Sequence, residues 1–159
     1  VLLSLSAAFF VVGPDRVWRM FGDPDLGPVS FDTLQRRMTP NDALACPRGL
    51  CGDRSDIESP IYPVSAQDLR LEFAKVLLTE PRVTLVAADD ATSTFRYIQR
   101  SAVLGFPDTI VVRFLDLPDG HSTLAIYSRS RFGESDFGVN RKRLERWLKK
   151  LSLFVEPEH

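Results

Sequence analysis

Thr109-Ile110-Val111-Val112-Arg113-Phe114-Leu115-Asp116-Leu117, then Pro118-Asp119-Gly120-His121, then Ser122-Thr123-Leu124-Ala125-Ile126-Tyr127-Ser128-Arg129-Ser130-Arg131, carries the pattern that decides the fold. Two β-rich runs flank a Pro-Asp-Gly turn, which reads as a β-hairpin. Successive strand side chains point to opposite faces. Ile110, Val112 and Phe114 therefore share one face with Leu124 and Ile126, while Val111, Arg113 and Leu115 share the other with Ala125, Tyr127, Arg129 and Arg131. One face is wholly apolar and calls for a cover. The other is mixed.

Working outward, Arg82–Ala88 and Thr94–Ser101 read as two earlier strands, separated by turn residues at Asp89-Asp90 and Gly105-Phe106-Pro107-Asp108. Connectors this short favour antiparallel neighbours, because a parallel crossover needs a dozen or more residues. Upstream, Ser65-Ala66-Gln67-Asp68 has the form of a helix cap, followed by Leu69, Phe73, Val76 and Leu77 at helical spacing. Downstream, Asn140 to Ser152 places Leu144, Trp147, Leu148 and Leu151 on one stripe. The expected fold class is α+β: a four-stranded antiparallel meander with one helix before and one after, both packed on one face, plus a Pro-rich N-terminal wrapping segment.

The first 63 residues read differently. Residues 1–12 are uncharged and apolar, and Gly13-Pro14-Asp15-Arg16 ends the run. Twelve residues are too few to cross a bilayer, so residues 1–21 are expected to be the end of a membrane anchor followed by interfacial residues. Trp18, Arg19 and Phe21 suit that position. The alternative is a buried helix of the globular domain; a cleavable leader lacks its small-residue cleavage site. Residues 22–63 hold Pro24, Pro28, Pro40, Pro47, Pro60 and Pro63, which disfavour long helices and central strands. Phe31, Leu34, Met38, Leu44 and Leu50 make this stretch too apolar for a free linker, so it is read as a segment wrapped on the core domain, 64–154. Cys46 and Cys51 flank Pro47 and Gly49, and a small-loop disulfide is expected, with buried free thiols as the alternative. A zinc site would need more ligands than this pair.

The chain has 159 residues, 44% hydrophobic and 26% charged, with a net charge of −1. Those values fit one soluble-type domain and exclude a disordered, collagenous or polytopic chain. They also remove the basic excess on which nucleic-acid binding depends. Charge is nonetheless segregated: residues 127–150 carry eight cationic against three anionic side chains. If the helices cover the apolar face, the mixed face collects Arg96, Arg100, Arg113, Arg129 and Arg131 among Ile98, Val111, Leu115 and Tyr127. Arginine forks suit phosphate and carboxylate, while their stems also cover half-exposed sheets in ordinary structures. Arg141, Lys142 and Arg143 fall in the first turn of the last helix, where cations oppose the helix dipole and can gather an anion.

The run Ser128-Arg129-Ser130-Arg131-Phe132-Gly133-Glu134-Ser135-Asp136-Phe137-Gly138-Val139-Asn140-Arg141-Lys142-Arg143, with Asn41-Asp42-Ala43-Leu44-Ala45-Cys46-Pro47 and Phe95-Arg96-Tyr97-Ile98-Gln99-Arg100 upstream, resembles the domain of unknown function 1499 family of bacteria and plastids. The resemblance covers roughly residues 30 to 152. It implies a small domain, often behind a membrane segment, and supplies no established activity and no cofactor. It marks Arg129, Arg131, Gly133, Asp136, Gly138, Asn140, Arg141 and Arg143 as the site. Gly133 and Gly138 would allow a tight connection, Asp136 would pair with Arg141 or Arg143, and Asn140 would cap the helix.

The leading expectation is a non-catalytic module anchored on the periplasmic side of the bacterial inner membrane. It would bind an anionic lipid, an anionic ligand or a partner protein through these arginines, brought together in one open patch at the start of the last helix. A structural subunit of a membrane complex is one alternative. A hydrolase of phosphate or carboxylate esters is the other, with Ser128, Ser130, Ser135, Asp136 and His121 as its candidate groups. No nucleophile elbow, metal-protease helix motif or phosphate-binding loop accompanies them.

Overall fold

The computed structural model describes residues 11–36 and 38–158. The expected anchor falls largely on residues 1–10, outside the described residues. Among those described, no helix is long and apolar enough to cross a membrane. The described part opens with a short helix α1 (Pro14–Arg19), with proline at its start.

The hairpin and its neighbours form as the alternation requires. Strands β3 (Val83–Asp89), β4 (Thr94–Arg100), β5 (Pro107–Asp116) and β6 (Ser122–Ser130) run antiparallel in succession. The four-stranded sheet of the sequence reading is too small, however. β1 (Asp42–Cys46) pairs antiparallel with β6, and β2 (Ile57–Glu58) pairs parallel with β1, giving six strands in the order β2-β1-β6-β5-β4-β3. Part of the Pro-rich stretch is thus an inner strand. Pro40 and Pro47 lie just outside its five residues, so neither withdraws a ladder N–H.

Helices α2 (Ala66–Leu78) and α3 (Val139–Phe154) cover the apolar face together. The Ser65 hydroxyl accepts the Asp68 N–H at 3.1 Å, as the capping pattern predicts. Phe73 of α2 meets Phe114 and Trp147 edge-on, at centroid distances of 5.6 and 5.7 Å. Edge-to-face pairs of this kind each add about 0.5–1.5 kcal/mol beyond area burial. Ala43 and Ala45 present small side chains to this core, which lets the sheet continue beneath the helices.

The opposite face is covered as well. Phe31, Leu34 and the Cys46–Cys51 pair pack on Leu44, Val111, Ala125 and Tyr127 as a second, smaller core. The two cysteines form a disulfide with 6.2 Å between Cα atoms. Residues 21–36 therefore lie as a strap across the face that the arginines share.

Candidate functional site

The β6–α3 connection shows how the motif folds. Gly133 and Gly138 both take positive φ, 94° and 77°. At Gly138, which directly precedes α3, that left-handed value lets the chain turn into the helix at little steric cost. Phe137 also has positive φ, 54°, although it has a bulky side chain. Asp136 takes up the free N–H groups at this helix start: its carboxylate accepts from Gly138 N and Asn140 N, both at 2.9 Å. An acidic group there favours the helix dipole and offsets the nearby cations. The capping role read for Asn140 thus belongs to Asp136, and the anion expected at the helix start is the chain's own carboxylate.

Asn140 and Arg143 instead point down into the apex of the sheet, and both are buried. The Arg143 guanidinium donates to Asp108 at 2.6 Å, to Ser128 Oγ at 2.8 Å, and to Gln99 and Asn140 side-chain oxygens. Asn140 Nδ2 lies within hydrogen-bond distance of the Asn41 carbonyl, Ser130 Oγ and Asp136 Oδ2. Asn41 in turn donates to the Gly133 carbonyl at 2.8 Å, tying the start of β1 to the motif loop. Every polar arm of Arg143 is used inside the protein, as a buried guanidinium requires. Asp136 pairs with neither Arg141 nor Arg143. Arg141 meets Glu145 one turn along α3, in solvent.

The mixed face carries the arginines assigned to it, but it is not open. Arg96 meets Asp25 at 2.8 Å, and Arg113 meets Asp32 at 3.4 Å. Arg129 donates to the Leu26 and Gly27 carbonyls at 3.0 and 2.6 Å, and its guanidinium lies 5.6 Å from the centre of the Tyr127 ring. Arg131 reaches the Phe21 carbonyl and lies so close to Gly22 that a side chain there would displace its guanidinium. Arg100 donates to the Gly105 carbonyl at 3.0 Å. The expectation of a single open patch is corrected. Arg96, Arg100, Arg113, Arg129 and Arg131 belong to the strap side, Arg143 lies under the helices, and Arg141 stands outside both.

What does converge is aromatic. Trp18 of α1 lies 4.5 Å from Phe106 and 4.9 Å from Phe132, ring centre to ring centre, and its indole N–H donates to the Leu104 carbonyl at 2.6 Å. Beside this cluster, Phe106, Phe132, Gly133, Phe137 and Val139 line an apolar cleft of about 280 Å³, with Asp108, Ser130 and Asp136 among its other lining residues. The sequence reading named Trp18 and passed over Phe106, Phe132 and Phe137. An available signal was their position in glycine-containing turns, which run over the surface and often carry function.

Of the hydrolase groups, Ser130, Ser135 and Asp136 share the lining of the cleft, but His121 does not join them. His121 sits before β6 and pairs with Glu158 at 2.8 Å, which raises its pKa. Ser128 lies seven residues on, inside β6, roughly 23 Å away at ~3.3 Å per residue. Its hydroxyl donates to Asn140 and accepts from Arg143. Among the described residues no cluster of His, Cys, Asp or Glu could hold a metal ion.

No curated protein matches the chain. A family model described as "Protein of unknown function (DUF1499)" matches residues 27–151, a span that includes residues 27–36 of the strap, the sheet, the motif loop and most of α3. The chain belongs to that family.

Proposed function

We propose that the chain is a membrane-anchored, non-catalytic binding module on the periplasmic side of the bacterial inner membrane. It engages an anionic lipid or a membrane partner at the pole where the motif loop meets α1. The observation that carries this reading is the aromatic cleft joined to the Trp18 cluster, at the place where the uncharged run of residues 1–12 leads into the domain. The disulfide accords with an oxidising compartment. The sheet-face arginines hold the strap, so the binding role passes to the pole and its exposed cations.

Fractionation of cells producing the full chain tests this. The expected result is recovery with inner membranes, with the domain cleaved by protease added to spheroplasts. Recovery in the soluble cytosolic fraction overturns it. Co-purification in fixed ratio with a larger complex would favour the structural-subunit reading instead.

A further inference from the structure

Three separate stretches expose large apolar side chains at this pole. Met20 and Phe21 follow α1, Val103 and Leu104 tip the β4–β5 loop, and Phe137 tips the β6–α3 loop with Val139 opening α3 beside it. Their exposures run from 45% for Leu104 to 89% for Phe137. The Trp18 cluster welds the three together, through its rings to Phe21, Phe106 and Phe132 and its hydrogen bond to Leu104. Scattered apolar residues on a surface are ordinary, whereas a contiguous set marks a contact.

Phe137 adds a second and independent observation. A bulky residue at positive φ is strained, and strain of this kind clusters where function needs it. Here the strain presents an aromatic ring that is 89% exposed and so contributes almost nothing to the core.

The charges around this pole complete the pattern. Arg16 and Arg19 on α1 and Lys142 in the first turn of α3 are exposed. Arg141 beside Lys142 is half engaged by Glu145, and Glu134 is an exposed acid in the same loop. Aromatics and aliphatics ringed by cations match a bilayer surface, with hydrocarbon at the centre and anionic phosphate at the rim.

Resting on the reading above, we infer that this pole is a bilayer-contacting face. Phe137, Val103 and Leu104 dip into the headgroup–acyl boundary of an anionic phospholipid membrane, and Arg16, Arg19 and Lys142 lie at its phosphates. The domain then sits flat on its membrane by three loops, and does not hang free from one tether.

The test reads a site far in sequence from the tether. The full chain carrying Phe137→Trp, with Trp18 kept because it joins the three stretches, is reconstituted in liposomes of phosphatidylcholine with phosphatidylglycerol, with and without bromine on the acyl chains, and the residue-137 emission is taken as the difference from the parent chain. Trp147 is fully buried and, with Trp18, supplies the background that the parent chain measures. The expected result is a blue shift and a loss of the residue-137 emission in brominated vesicles, stronger with phosphatidylglycerol than in neutral vesicles. Adding Val103→Ser and Leu104→Ser should reduce the quenching while the chain still floats with the vesicles. If the chain floats but residue 137 emits at its solvent wavelength, unquenched, the contact face is overturned and the anchored reading stands. Equal quenching in neutral and anionic vesicles removes the role given to the cations. Failure to float with any vesicle overturns the anchored reading itself. Shielding of residue 137 only in native membranes would assign the face to a protein partner and overturn the lipid assignment.

Discussion

Arg143 shows how a residue can look like a binding group and act as a structural one. Its charge is removed from water, and Asp108, Gln99, Ser128 and Asn140 together replace the lost hydration. Removing one partner of such a buried pair leaves the other charge uncompensated. Arg143→Ala should therefore lose about 3–5 kcal/mol in guanidinium denaturation. Phe137 is the opposite case, because its side chain is exposed and its backbone strained. Phe137→Gly should leave stability unchanged or raise it by up to about 1 kcal/mol, since glycine adopts positive φ freely but adds chain entropy to the unfolded state. The same denaturation curves distinguish the two.

At the scale of elements, the strands were legible because alternation over seven or more residues is hard to mistake for helix. β1 and β2 were not. Five and two residues are too short to show a period, and the flanking prolines argued against a central strand. The faces of Arg96, Arg113 and Arg129 could also be read in advance, but their occupancy could not. Their partners are Asp25, Asp32 and two backbone carbonyls, all 71 or more residues away in sequence, and a carbonyl acceptor leaves no mark on composition. In the motif, the glycines declared the turn, while the exchange of roles between Asp136 and Asn140 depended on where α3 begins.

Two predictions belong to this scale. The disulfide closes a loop of about six residues at the end of β1, and loop-closure entropy puts its contribution near 2 kcal/mol. Reduction should lower the denaturation midpoint accordingly without abolishing the sheet. Glu80 follows α2 and joins it to α3 through Arg146 at 2.8 Å and Lys150 at 2.6 Å. Burial alone would raise its pKa, but the hydrogen bonds from these two cations outweigh that and bring it down from the ordinary 4.5 to about 2. A depressed carboxylate stabilises the fold fully above its unfolded pKa and loses that contribution as pH falls through the folded one. Stability should therefore decline between about pH 4.5 and pH 2 through this group. Glu80→Gln should flatten that part of the profile, as read by thermal melts across the range.

For the whole molecule, the question is what the strap-side arginines do. If they bind an external anion, replacing them should abolish that binding and leave the strap in place. If they hold the strap, the effects reverse. Arg96 and Arg129 between them fix Asp25 and the carbonyls of Leu26 and Gly27, so removing both frees the middle of the 21–36 segment. Local openings of this kind have their own free energies, below that of global unfolding. The double variant Arg96→Ala/Arg129→Ala should therefore show faster amide hydrogen exchange in residues 21–36, with β5, β6 and α3 still protected. The emission of a tryptophan at position 137 in anionic vesicles should not change, because the arginines that reach the strap are not those at the bilayer. Unchanged exchange in the strap together with lost vesicle binding would return the arginines to the role of an external anion site, and the strap would then be held by its apolar anchors Phe31 and Leu34 and by the contacts of Asp32, Arg36 and Phe21.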